Sequence, residues 1–139
     1  MNQAQLIQGL NEDLSGELGT IIRYTVQSSK AFGPHGAEVR ELLRSEIQDE
    51  LKHATFLADV IVDLGGEPTT EPQSFDNNDS LRDMLRLDIE MEQSDVTNYT
   101  ERAALAEKLG KAELKVRLEE MAADEARHAR QLRRLVTGM

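Results

Sequence analysis

Apolar side chains recur along this chain in alternating steps of three and four residues, the spacing that lines up one face of an α-helix. Four such seams follow one another. The first runs Leu6, Leu10, Leu14, Glu17, Ile21, Tyr24, Ser28, and the second Val39, Leu43, Glu46, Glu50, His53, Leu57, Val60, Leu64. The third is Leu85, Ile89, Glu92, Val96, Tyr99, Ala103, Ala106, and the fourth Leu114, Leu118, Met121, Glu125, His128, Leu132, Leu135. No stretch shows a convincing strand pattern. The seams predict helices over roughly 3–32 (α1), 37–64 (α2), 80–109 (α3) and 111–136 (α4), an all-α four-helix bundle in a single domain, 1–139.

The breaks between seams carry turn chemistry. Phe32-Gly33-Pro34-His35-Gly36 separates α1 from α2, and Leu109-Gly110-Lys111 separates α3 from α4. Short links of this kind make antiparallel hairpins. The α2–α3 link is longer, from Gly65-Gly66 through Pro68, Pro72 and Asn77-Asn78 to Ser80. Some 15 residues reach roughly 45–50 Å when extended, and a helix of about 28–30 residues is about 42–45 Å long. The link can therefore cross the length of the bundle and leave α2 and α3 parallel. A flexible linker joining two hairpins, each paired with another chain, is the alternative.

Six seam positions do not belong in an apolar core: Glu17, Glu50, His53, Glu92, Glu125 and His128. An unpaired buried carboxylate is costly and tends to take up a proton. Within each hairpin the glutamates lie at nearly equal distances from the turn, so they face each other at one level. Four carboxylates at one depth repel one another, whereas two divalent cations would cancel their charge and neutral imidazoles would complete the shells. The pattern occurs twice. Adding 75 to Glu17, Tyr24, Glu50 and His53 leads to Glu92, Tyr99, Glu125 and His128, and Asp49-Glu50-Leu51-Lys52-His53-Ala54 is answered by Asp124-Glu125-Ala126-Arg127-His128-Ala129. This repeat implies a pseudo-twofold site. Glu and His at i and i+3 project from one helix face, so a single turn supplies two metal ligands. Oxygen-rich ligation with one His per ion suits iron, or manganese, better than copper or a closed zinc site.

Composition adds mainly exclusions. There is no Cys, so disulfides, thiolate metal sites and thiol catalysis are ruled out, while the redox compartment stays open. The 26 Asp and Glu outweigh 16 Lys and Arg, a formal charge of -10, which disfavours nucleic-acid binding and favours a raised local concentration of cations. Neither a signal peptide nor a membrane span is expected, and the cytoplasm is the expected location.

With Glu17, Glu50-x-x-His53, Glu92 and Glu125-x-x-His128 in place, the chain resembles the ferritin-like di-iron proteins over nearly its whole length, most of all bacterioferritins and rubrerythrin-type domains. The resemblance implies that Glu50 and Glu125 bridge two ions, with Glu17 and His53 completing one shell and Glu92 and His128 the other. It also implies oxidation of Fe(II) by O2 or H2O2, for iron storage or defence against peroxide and oxidative stress. The expected activity is a di-iron ferroxidase or peroxidase type of oxidoreductase. The alternatives are non-catalytic iron storage, a metal-free helical interaction module and a di-manganese, catalase-like enzyme.

Departures from the family sharpen the expectations. Leu51 stands where bacterioferritins carry a haem-ligating Met, so no haem is expected. The sequence stops at Met139 after α4, so a homodimer rather than a 24-subunit cage is expected. Rubrerythrins place a further Glu one turn after the α3 ligand; here Asp95 holds that place and is expected on a solvated face. With no Cys-rich domain, electrons must come from an unidentified donor. Tyr24 and Tyr99 either hydrogen-bond a ligand or pass an electron, or are core aromatics with satisfied hydroxyls. Glu46 is either an acid supporting the ligands or a transient iron site, or else is paired to an Arg or partly exposed.

Overall fold

The computed structural model describes residues 2–139 and forms four helices, α1 Gln3–Ser29, α2 Gly36–Asp63, α3 Leu81–Lys108 and α4 Ala112–Thr137. The described residues contain no strand, and none of their helices is long and apolar enough to cross a membrane. The first helix ends three residues sooner than its seam suggests. Lys30 caps it, the turn at Gly33 begins there, and Phe32 stands in solvent, 76% exposed.

Local chemistry sets the helix ends. Asn2 and Gln5 form a reciprocal box in which each side-chain oxygen accepts the other's backbone N–H at 2.9 Å. At the far ends of α2 and α3, Gly65 (φ 86°) and Gly110 (φ 73°) take the left-handed turn that an L side chain resists. The following residues, Gly66 and Lys111, donate back to the Ile61 and Ala106 carbonyls at 2.8 and 2.9 Å, closing both helices in the Schellman manner.

The long link is an extended strap laid along α1. Gln3 Nε2 donates to the Leu64 carbonyl, and Asn11 both donates to Glu67 O and accepts from Thr69 N, at 3.0 and 2.8 Å. Farther on, Ser15 Oγ donates to Glu71 O at 2.7 Å and its carbonyl accepts from Gln73 N at 2.9 Å. Lys30 Nζ reaches Asn77 and Asp79 at the other end. The strap thus travels from the start of α1 to its finish, and α3 sets out from the end where α2 began. The two middle helices are parallel, α1 packs on α3 and α2 on α4. A Cβ on Gly19 would lie 2.6 Å from the Gln73 carbonyl oxygen, so the strap lies against bare backbone there.

Apolar packing is divided in two. One cluster gathers Leu6, Leu10, Leu14, Leu57, Ile61, Tyr99, Leu114 and Leu118, and the other Tyr24, Val39, Leu43, Leu85 and Leu132. Between them lies a buried polar layer in which Glu17, Glu50, His53, Glu92, Glu125 and His128 are at most 5% exposed. The two apolar plugs keep bulk water from the layer along the bundle axis.

Candidate metal centre

Each of the six residues comes from the middle of a helix, where backbone hydrogen bonds hold it firmly: Glu17 on α1, Glu50 and His53 on α2, Glu92 on α3, Glu125 and His128 on α4. The bundle gathers them into two groups of four. Glu17, Glu50, His53 and Glu125 offer ligand atoms all within 4.8 Å of one another, as do Glu50, Glu92, Glu125 and His128. Glu50 and Glu125 are common to both. His53 Nδ1 lies 3.3 Å from Glu125 Oε1 and 3.7 Å from Glu17 Oε2. His128 Nδ1 lies 3.1, 3.4 and 3.7 Å from oxygens of Glu50, Glu125 and Glu92.

Buried polar atoms normally find partners. Among the described residues, Glu17 Oε2, both oxygens of Glu50 and Glu125, Glu92 Oε2 and the Nδ1 atoms of His53 and His128 have no hydrogen-bond partner. They are orphaned and they converge. Burial first, and then the neighbouring glutamates, push Glu50 and Glu125 well above the usual carboxylate range. Burial works the same way on Glu92, but the nearby His128 imidazole and the Tyr24 hydroxyl outweigh it and draw Glu92 down. For His128, burial lowers the pKa, yet Glu50 and Glu92 raise it further, to about 12. Burial and mutual repulsion favour protons on Glu50 and Glu125, and oxygen and imidazole donors in these numbers fit a pair of divalent cations.

The groups around the six are placed with equal care. His53 Nε2 and Asp124 Oδ2 lie 2.9 Å apart, and His128 Nε2 and Asp49 Oδ2 the same distance, each bond crossing from one hairpin to the other. An imidazole donating through Nε2 turns its Nδ1 lone pair inward, toward a cation. Tyr24 on α1 donates to Glu92 Oε1 on α3, and Tyr99 on α3 donates to Glu17 Oε1 on α1 at 2.5 Å. Each tyrosine thus hydrogen-bonds a carboxylate on the opposite hairpin. Burial above all pushes both phenols well above their ordinary pKa.

Other residues stand differently from expectation. Asp95 is half-buried rather than solvated; burial, Glu17 and Glu92 push it well above the usual range, and it belongs to neither four-membered group. Glu46 is 2% exposed, neither of its oxygens has a partner among the described residues, and burial first of all carries its pKa to about 8. It is neither Arg-paired nor partly exposed. Two ion pairs escaped the sequence reading: the fully buried Arg23 Nε to Asp88 Oδ1 at 2.8 Å, and the partly buried Arg102 to Asp13 at 2.9 and 3.1 Å. The offset of 75 that relates the ligands also relates Asp13 to Asp88, a signal that extends the repeat one turn outward. A cleft of about 150 Å³ lined by Lys52, His53, Phe56, Arg117, Glu120, Met121 and Asp124 reaches the layer from the α2–α4 side.

Known proteins agree with this architecture. The ferritin-like domain profile matches residues 7–139. A ferritin-like di-iron-carboxylate protein from Bacillus anthracis str. Ames is 38% identical, with a TM-score of 0.94 over 98% of this chain and 99% of that one. The dodecameric thioferritin from Bacteroides fragilis, a bacterioferritin-related protein, is 23% identical with a TM-score of 0.89 over 99% and 88%. The Desulfovibrio desulfuricans bacterioferritin, solved with its di-iron site in different catalytic states, is 22% identical with a TM-score of 0.83 over 97% and 80%. These last two likenesses concern the fold alone. No curated protein matches the chain.

Proposed function

This chain belongs to the ferritin-like domain family, and on that premise we propose that it is a di-iron oxidase of ferroxidase type. Fe(II) is the substrate, taken at Glu17, Glu50, His53, Glu92, Glu125 and His128, with Glu50 and Glu125 shared between two ions. Two Fe(II) give one electron each to H2O2, which leaves with two protons as two waters, or to O2, which leaves with two protons as H2O2. The observation that carries this reading is the convergence of orphaned carboxylate and imidazole atoms in two groups with two glutamates in common.

The chain's own groups have definite parts in this scheme. Asp49 and Asp124 hold the imidazoles as Nε2–H donors, which presents Nδ1 inward. Tyr99 and Tyr24 fix the outer carboxylates through one oxygen and leave the other, Glu17 Oε2 and Glu92 Oε2, free to bind. The apolar plugs exclude bulk water, which strengthens each charge interaction in the layer. The His53 cleft gives a small oxidant a way in.

The test is an anaerobic Fe(II) titration of metal-free protein followed by a pulse of air while absorbance is recorded. Saturation at two irons per chain with rapid oxidation is the expected result. Absence of stoichiometric binding overturns the proposal, and binding without oxidation reduces it to sequestration.

A further inference from the structure

The repeat that relates the two hairpins breaks beside the second histidine. Where one hairpin has Lys52, exposed at the cleft, the other has Arg127. Arg127 Nη1 donates to Asp124 Oδ1 at 3.1 Å and Nη2 to Asp49 Oδ2 at 2.9 Å. Those carboxylates accept from His53 and His128. A single guanidinium therefore spans the pseudo-twofold axis on the α2–α4 face and touches both devices that orient the imidazoles. Only a planar, forked donor does this; an ammonium is a point charge without the fork. Arg127 itself is 41% exposed, so it is not a filler of the core.

We propose that Arg127 is a positioning residue for the metal centre, a clamp that fixes Asp49 and Asp124 together and so couples the orientation of His53 to that of His128. The inference rests on the metal reading above. It also fits the break in the repeat: one guanidinium serves both aspartates. Crosswise placement has a specific consequence. Asp124 acts on the group containing Glu17 and His53, Asp49 on the group containing Glu92 and His128, and Arg127 on both.

Co(II), added without oxygen and in competition with a chelator, separates these roles, since the intensity and position of its visible bands report ligand geometry. Wild type is expected to hold two Co(II). Loss of partners behind metal-bound histidines typically costs about 10–100-fold in affinity, so Arg127→Gln weakens both sites by at least about tenfold and alters the spectrum of both. Asp49→Ala and Asp124→Ala each weaken one site. Arg127→Lys keeps the charge without the fork and behaves like the glutamine variant, whereas Arg133→Gln, which removes an exposed charge from the same helix, leaves binding and spectrum unchanged. Failure of wild type to bind Co(II) overturns the metal reading itself. Wild-type binding of two ions with unaltered affinity and spectrum in Arg127→Gln overturns the clamp alone. So does full rescue by lysine, or an equal effect from Arg133→Gln, because either would make charge, not geometry, the cause.

Discussion

At the scale of single residues, the polar layer is held together by unequal partners. Arg23 and Asp88 are both fully buried, while Arg102, paired with the repeat-related Asp13, keeps partial contact with solvent. Removing one partner of a buried pair strands the other charge, at about 3–5 kcal/mol. Asp88→Ala is therefore expected to lose that much in urea unfolding, and Asp13→Ala distinctly less; equal losses would contradict the role assigned to burial. Glu46 makes a different prediction. Its pKa rises from 4.5 to about 8 on folding, so the folded state holds the proton more tightly. Its contribution is complete below pH 4.5 and is lost as pH climbs through about 8, a range worth on the order of 5 kcal/mol. Glu46→Gln removes this term. In metal-free protein the variant should gain on wild type between pH 5 and pH 8.5, and a stability difference independent of pH would refute the assignment.

At the scale of elements, the strap along α1 makes the topology. Its hydrogen bonds to Asn11 and Ser15 keep it extended, and the missing side chain at Gly19 lets the Gln73 carbonyl come close. Gly19→Ala would gain from helix propensity on an isolated helix. Here the added carbon meets backbone rather than a flexible chain end, and the expected outcome is a loss of about 1–3 kcal/mol in thermal or urea unfolding. A neutral or stabilising effect would show that the strap yields. The helices themselves were legible in the sequence to within a few residues, because seams of this length are a strong periodic signal. Parallel α2 and α3 were expected from a single long crossover whose length reaches along the bundle. What decides the matter is a set of side-chain bonds from α1 to the strap, which no periodicity records.

At the scale of the whole molecule, metal binding and folding draw on the same buried charges. Burial and the neighbouring glutamates favour the protonated forms of Glu50 and Glu125, and the surrounding carboxylates favour that of His128, so ligation requires protons to leave. Affinity for divalent cations should therefore rise with pH across the neutral range, about tenfold per unit for each proton released. Co(II) competition titrations at several pH values measure the slope, and a flat profile would contradict protonated ligands. Cation loading should also raise the unfolding temperature, since a ligand that binds only the folded state stabilises it by mass action. Both effects belong to the assembled bundle, because each four-membered group draws on both hairpins.

Sequence by itself determined the four helices, their apolar faces and the six polar positions set within them, because helical periodicity and the offset of 75 are properties of order along the chain. Depth within a helix follows from the count of residues to the nearest turn, so the meeting of the glutamates at one level was legible too. Tertiary structure alone decided which partner each group takes. Tyr24 and Tyr99 bond across to the opposite hairpin, Asp49 and Asp124 do the same, Glu46 has no hydrogen-bond partner among the described residues, and Arg127 joins two aspartates 78 and 3 residues away. These depend on how helix faces are rotated against one another and on the reach of individual side chains, which are fixed by packing in three dimensions rather than by spacing in one.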